Sequence, residues 1–250
     1  MEAINKQTAG DKLHALWKHP GSLILFLLVV LAACVTFAVL IFLALILAVP
    51  VGIFSAIYLV EYAKKGNKFV GVVRVTAETL SGIPSIVYGL FGMLFFVTKL
   101  KWSYSMLAGA FTLAIMILPL IMRTTEEALL AVPDSYREGS FGLGAGKLRT
   151  VFQVVLPSAI PGILAGVILG IGRIVGETAA LMYTSGTVAK YAGAMESGRT
   201  LALHMYVLTS EALHVDQASA TAVVLLIIVI GSNAFSGFIA KKLAKKTGEE

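Results

Sequence analysis

The chain has 250 residues, of which 58% are hydrophobic and only 14% charged, and its mean hydropathy is +0.88. A soluble domain carries about 25% charged residues, so this composition excludes one and defines a membrane protein. The formal net charge of +6 comes from Lys/Arg clusters that bear on membrane orientation, not from a nucleic-acid-binding stripe. At this length there is one helical membrane domain and no room for a nucleotide-binding domain beside it. The single cysteine, Cys34, excludes a disulfide framework and a Cys-rich metal site.

Residues 1–21 form a tail with Lys6, Lys12 and Lys18. An unbroken apolar run follows from Leu23 to Leu59, and Lys64, Lys65 and Lys68 close it. Leu31–Cys34 fits a lipoprotein processing box, but the chain stays apolar beyond it, as an ordinary Leu/Ala-rich helix does. Lys/Arg clusters favour the cytoplasmic side. Placing both clusters there makes the tail cytoplasmic and requires this run to cross twice. Residues 22–61 as a helix span about 60 Å, or two hydrocarbon cores of ~30 Å with nothing left for a turn. Pro50 and Gly52 come too late to turn the chain. Two topologies remain: an outside tail with five spans, or a short first helix with six.

Further apolar segments lie near 69–98, 104–122, 158–183 and 218–240. In the first, Arg74 and Glu78 stand at i, i+4, one above the other on a helix face. Ser81, Ser85, Gly89 and Gly92 continue that face, with Pro84 free to kink it. Charge in hydrocarbon is expensive, about 2.5–3.5 kcal/mol even on the lenient insertion scale. Arg74 and Glu78 are therefore candidates for substrate translocation, the alternative being a neutralised ion pair between helices. Lys99–Trp102 is a short outside turn with an interfacial aromatic.

Residues 123–157 form a polar loop marked by Arg123, Arg137, Lys147 and Arg149. Ser135 and Glu138 have the spacing of a capping box, which starts a short helix. Gly144 and Gly146 are placed to end it with positive φ, and Lys147–Gln153 predicts a second short helix before Leu156 and Pro157. The sequence Gly142–Lys147 is glycine-rich, but a phosphate-binding loop needs glycine where Phe141 stands and Ser or Thr where Leu148 stands. The chain does not hydrolyse ATP alone.

In the next segment Gly162, Gly166, Gly170, Arg173, Glu177 and Ala180 fall within roughly 80° of one another at helical periodicity. The three glycines predict a helix-packing seam, and Arg173 and Glu177 predict an ion pair at its deeper end, a second translocation candidate. The R-x3-E-T pattern at Arg74 repeats here. Residues 184–217 form an outside segment whose Leu201, Leu203, Met205, Val207 and Leu208 predict a helix lying on the membrane or plugging the bundle. Residues 241–250, with Lys241, Lys242, Lys245 and Lys246, are a cytoplasmic tail. His14, His19, His204 and His214 have no metal-ligand spacing, so no metal and no cofactor is expected.

Glu138, Gly139, Ser140, Gly144, Val154, Leu156 and Pro157 are spaced as in E-A-A-x3-G-x9-I-x-L-P, and so resemble the cytoplasmic coupling loop of ABC-importer permeases. Further segments, AVPVGI (48–53), AIYLVEY (56–62), SGIPS (81–85), RTTEEA (123–128) and GRIVGETAAL (172–181), are similar to those of the phosphate-specific permeases, the A-type (PstA) subunits. The resemblance covers residues 45–240. It departs at the N-terminus, where the family's long extracytoplasmic loop after the first helix is missing.

The resemblance implies an all-α, polytopic, MetI-like permease bundle of five to six transmembrane helices over 22–240, in a bacterial or archaeal cell membrane. It implies import of inorganic phosphate by a subunit that is not itself an enzyme. Its partners would be a second, C-type permease, an ATP-binding cassette ATPase dimer and an extracytoplasmic phosphate-binding protein. Arg173 and Glu177, with Arg74 and Glu78, would line the path. Ser135, Glu138, Gly139, Gly144, Leu156 and Pro157 would take the ATPase stroke. A permease of the same fold for another oxyanion or solute remains open, as does an ATPase-independent secondary transporter.

Overall fold

The computed structural model describes residues 20–64, 66–188, 193–210 and 215–247. Lys6, Lys12, Lys18, Lys65, His14, His19 and His214 lie outside them. The described residues form helices and connections, with no strand among them.

Helix α1 runs unbroken from Pro20 to Ile57, with Pro50 inside it, and ends in a wide π turn at Tyr58–Tyr62. At 1.5 Å per residue its 38 residues extend about 57 Å, so it crosses once and projects from the bilayer. Pro20 and Ile57 therefore lie at opposite ends of one unbroken helix. The missing turn residues are the physical reason: no glycine, proline or asparagine stands near the middle of residues 22–61 to reverse the chain, Pro50 is accommodated inside the helix, and the ladder widens only at Tyr58–Tyr62.

The segment expected as one span over 69–98 is two helices, α2 (Lys68–Ser81) and α3 (Ser85–Gly92, continued by a π turn to Lys99), bent by 102°. Proline lacks an N–H and biases the residue before it to extended backbone, and Gly82–Pro84 supplies both a flexible position and that restriction. The Tyr88 hydroxyl donates to Leu80 O at 2.7 Å, the carbonyl that also accepts from Ile83 N at 3.1 Å, and so ties α3 back to the end of α2. Arg74 and Glu78 consequently do not share a face with Gly89 and Gly92.

Helix α4 (Met106–Ala131) is the centre of the bundle. Buried residues make up 67% of its most apolar window, against 33% for α1 and 28% for the span from Lys147 to Val175. Ser105 caps its start, accepting from Ala108 N. The N–H groups of Ser105, Met106 and Leu107 donate to Thr184 O, Glu196 O and Ala194 O, so the outside segment closes over the top of α4.

Beyond it lie α5 (Asp134–Gly142) and α6 (Lys147–Thr150), which passes through a π turn into α7 (Leu156–Val175). Then come α8 (Ala179–Met182), α9 (Leu201–Ser210) and α10 (Val215–Thr247). Helix α9 is a plug: Leu201, Leu203 and His204 are buried, and Leu203 joins the core with Leu40, Leu113 and Leu181.

Without a hydrophobic driving force between helices in lipid, close van der Waals packing holds them together. Glycines make that packing possible around α4. A Cβ at Gly52 would lie 2.8 Å from Ile121 Cγ2, one at Gly162 2.6 Å from Ala128 Cβ, and one at Gly170 3.1 Å from Ile121 Cδ1; one at Gly166 would collide with Thr124 Oγ1. Gly166→Leu is expected to lower the thermal stability of the purified protein by about 1–3 kcal/mol through overpacking. Gly172→Ala, where nothing lies within 4 Å, is expected to be neutral or stabilising. A thermal unfolding series checks both, and equal effects would contradict the seam.

Candidate translocation path and coupling surface

Helix α5 starts at Asp134, with Pro133 rather than Ser135 at the cap and no side-chain capping bond. The expected capping box does not form. The ring of Pro133 holds its φ at −56°, and the helix begins one residue before Ser135, which lies within its first turn beside Asp134. Gly144 has φ +81°, as the turn requires. Gly146 does not: it has φ −73° and caps α6. The second short helix is likewise not separate, because Lys147 begins a continuous helix to Val175. The π turn at Val151–Val155 precedes Pro157, where the ladder must accommodate a residue with no N–H.

Ser135, Glu138, Gly139 and Gly144 are exposed, as is Pro157, whereas Leu156 packs against the lower core. Tyr136, Phe141 and Leu148 are also exposed, and Leu143 is 91% accessible. A loop tip carrying this much uncovered apolar surface is built to be covered. Below it Arg137 makes a dense set of bonds. Its Nε and Nη2 donate to Glu61 Oε1 at 3.1 and 2.8 Å, and Nη2 to Leu129 O at 2.9 Å. Its Nη1 donates to Val132 O and to Asp134 Oδ1 at 2.7 and 3.2 Å. Sequence reasoning missed this pairing; the signal available was Glu61, a lone carboxylate at the end of an apolar run.

Arg74 and Glu78 are not paired with each other. Arg74 reaches Glu126 of α4 at 2.5 Å, and Glu78 lies 3.9 Å from Arg123, which also holds Glu127 at 3.1 Å. Both pairs join α2 to α4 around a cavity of about 280 Å³ lined by Arg74, Ala77, Glu78, Met122, Arg123 and Glu126 among others. The partners come from across the bundle, which i, i+4 spacing does not report.

Nor do Arg173 and Glu177 stack on one helix face. Helix α7 ends at Val175, and Glu177 N donates to Ile174 O in a turn. Glu177 is 8% exposed, and its Oε1 accepts from Ala180 N at 2.9 Å, holding the start of α8. Arg173 is half-buried on the last turn of α7, within electrostatic reach of Tyr88 and without an ion pair among the described residues. Gly162, Gly166 and Gly170 of the same helix face α4. The break at Gly176–Thr178 also abuts the bent element: a Cβ at Gly89 would lie 2.8 Å from Ala180 Cα. An uncommitted guanidinium therefore sits beside a broken helix and a bent one, the arrangement that membrane proteins tolerate where backbone lines a path or is buried in protein.

The model of the family described as binding-protein-dependent transport system inner membrane component matches residues 48–249. The probable ABC transporter permease protein YqgI of Bacillus subtilis is 33% identical over 222 residues, 82% of this chain and 75% of that one. The phosphate transport system permease protein PstA 1 of Mycobacterium tuberculosis is 41% identical over 143 residues, and PstA of Mycobacterium leprae is 36% identical over 197. Those alignments cover 57% and 77% of this chain but 46% and 64% of the relatives, so the chain spans about half to two thirds of the length of these PstA proteins. In fold it is similar to a chain of the inward-facing MetNI methionine ABC transporter, with TM-score 0.69 and 20% identity, covering 90% of this chain and 99% of that one. Together with the all-helical membrane bundle, these matches make the chain a member of the binding-protein-dependent transport system inner membrane component family. It is a multi-pass transport subunit.

The two classes of ion pair are expected to differ in weight. Glu126 is 12% exposed and Arg74 49%, so Glu126→Gln should destabilise by about 1–3 kcal/mol as a charged hydrogen bond is lost. Glu127 and Arg123 are both largely exposed, so Glu127→Gln should change stability by less than about 1 kcal/mol. Denaturation in mild detergent measures the difference, and the reverse order would contradict the α2–α4 tie.

Proposed function

We propose that this chain is a permease subunit of an ATP-driven importer of inorganic phosphate in a bacterial or archaeal cytoplasmic membrane. A second, C-type permease would complete the path, an ATP-binding cassette dimer would drive it, and an extracytoplasmic phosphate-binding protein would deliver the ion. The observation that carries this reading is α5. It is an exposed helix with an apolar tip, bolted by Arg137 to the ends of two spanning helices, in a chain similar to PstA proteins over most of its membrane domain.

In this reading the ATPase covers Leu143 and its neighbours, with Ser135, Glu138, Gly139 and Gly144 forming the helix and turn that receive the stroke. Leu156 and Pro157 pass it into α7. Arg173 draws the anion along the path, because its guanidinium stays charged and offers a planar fork to an oxyanion. Glu177 sets where Arg173 sits by fixing the break between α7 and α8. Arg74 and Glu78 act at the other end, where α2 meets α4, and their pairs must loosen or shift for the path to open there.

Two substitutions test the reading. Arg173→Gln in the assembled transporter is expected to abolish phosphate uptake, and Arg173→Lys to restore little of it, since an ammonium lacks the fork. Normal uptake by Arg173→Gln would remove Arg173 from the path. Gly144→Val is expected to detach the ATPase or uncouple its hydrolysis, because a non-glycine residue in the left-handed region is penalised by about 1–2 kcal/mol. Retained ATPase with unchanged hydrolysis stimulated by the binding protein would remove the α5–α6 turn from the coupling surface.

A further inference from the structure

From the geometry at the lower end of the bundle we infer that the Glu61–Arg137 pair is the joint through which movement of α5 enters α1. This rests on the reading of α5 as the surface an ATPase moves. The two residues are 76 positions apart, and at 9% and 15% exposure they are screened little by water. An exposed pair of this kind contributes little; this one is enclosed and surrounded by further bonds.

The guanidinium has five N–H groups, and the structure gives it five hydrogen bonds. Two go to Glu61 on the last turn of α1, two to the free carbonyls of Leu129 and Val132 at the end of α4, and one to Asp134 on α5. One side chain of α5 thus holds the ends of two spans. Lys147 Nζ lies 5.2 Å from the ring centre of Tyr62, next to Glu61, and adds a second, weaker hold on the same turn.

The other attachment of α5 is of a different kind. Toward α7 it has van der Waals packing, the Gly144 turn and, among the described residues, one side-chain hydrogen bond between hydroxyls, Ser140 Oγ to Thr150 Oγ1 at 2.8 Å. None of these carries charge. A push on α5 therefore moves α1 and α4 with it and reaches α7 through a turn that bends. The π turn at Tyr58–Tyr62 is where α1 can take up the resulting change in direction, since such wide turns interrupt the regular ladder. Glu61 and Arg137 are positioning residues: neither has to touch the transported ion.

The test uses the whole transporter in proteoliposomes, with phosphate as the transported probe. Arg137→Lys keeps the charge and loses the fork; Glu61→Gln keeps the shape and loses the charge. Each is expected to keep the ATPase bound and hydrolysing, while phosphate moved per ATP falls about tenfold, as loss of a charge-assisted hydrogen bond allows. The double variant is expected to be no worse than the more impaired single one, because both act on one joint. Wild-type phosphate per ATP in either single variant, or losses that multiply in the double one, would overturn the inference. So would a drop in thermal stability with phosphate per ATP unchanged, the mark of a purely structural tie. Failure of the coupling reading itself is recognisable separately: the unsubstituted chain would then fail to retain the ATPase, and the joint would fall with it.

Discussion

Helix α4 lies between two glycine-lined faces, and the rest of the bundle depends on that contact. Ile121 fills the space left by Gly52 of α1 on one side and Gly170 of α7 on the other, while Thr124 and Ala128 fill those at Gly166 and Gly162. In lipid an apolar surface gains nothing by leaving its solvent, so such close approach has to supply the association. Because α4 is fixed on both sides, the groups at its lower end have fixed positions as well. Glu126 faces Arg74, Arg123 faces Glu78, and the carbonyls of Leu129 and Val132 face Arg137.

The remainder of the chain supplies interruptions to that rigid centre. The bend between α2 and α3, the break at Gly176–Thr178 and the three π turns all fall where proline, glycine or a buried polar group disturbs the helical ladder. Two of them meet: Gly89 of α3 packs on the backbone of Ala180 in α8, the residue whose N–H donates to the carboxylate of Glu177. The outside segment then closes over α4 through three backbone bonds and inserts α9 into the core. Straight helices set the frame, and the α2–α3 bend and the α7–α8 break come together beside Arg173.

Local patterns carried a good part of this. Composition and apolar length define a helical membrane bundle, and the spacing of Gly162, Gly166 and Gly170 is enough to place them on one face. Gly144 stands where a turn needs positive φ, and the structure has it there. What periodicity could not report is which side chain lies across the bundle. Arg74 and Glu78 at i, i+4 look like each other's partners, yet both turn to α4, and Glu61 meets Arg137 from far away in the chain. Ends were also misplaced. Glu177 continues the helical stripe of α7 on paper, but the helix stops at Val175, and its carboxylate caps the next one. Ser135 and Glu138 spell a capping box, but Pro133 starts the helix before they can form it.

The proposal that ATP hydrolysis beneath α5 drives phosphate past Arg173 is tested most directly in sealed proteoliposomes. They would hold this chain with its second permease and ATPase, ATP inside, and phosphate with its binding protein outside. Phosphate should accumulate inside above its external concentration, and accumulation should stop when the ATPase is omitted or ATP is replaced by a non-hydrolysable analogue. Phosphate that enters equally well without the ATPase, and only down its gradient, would contradict it.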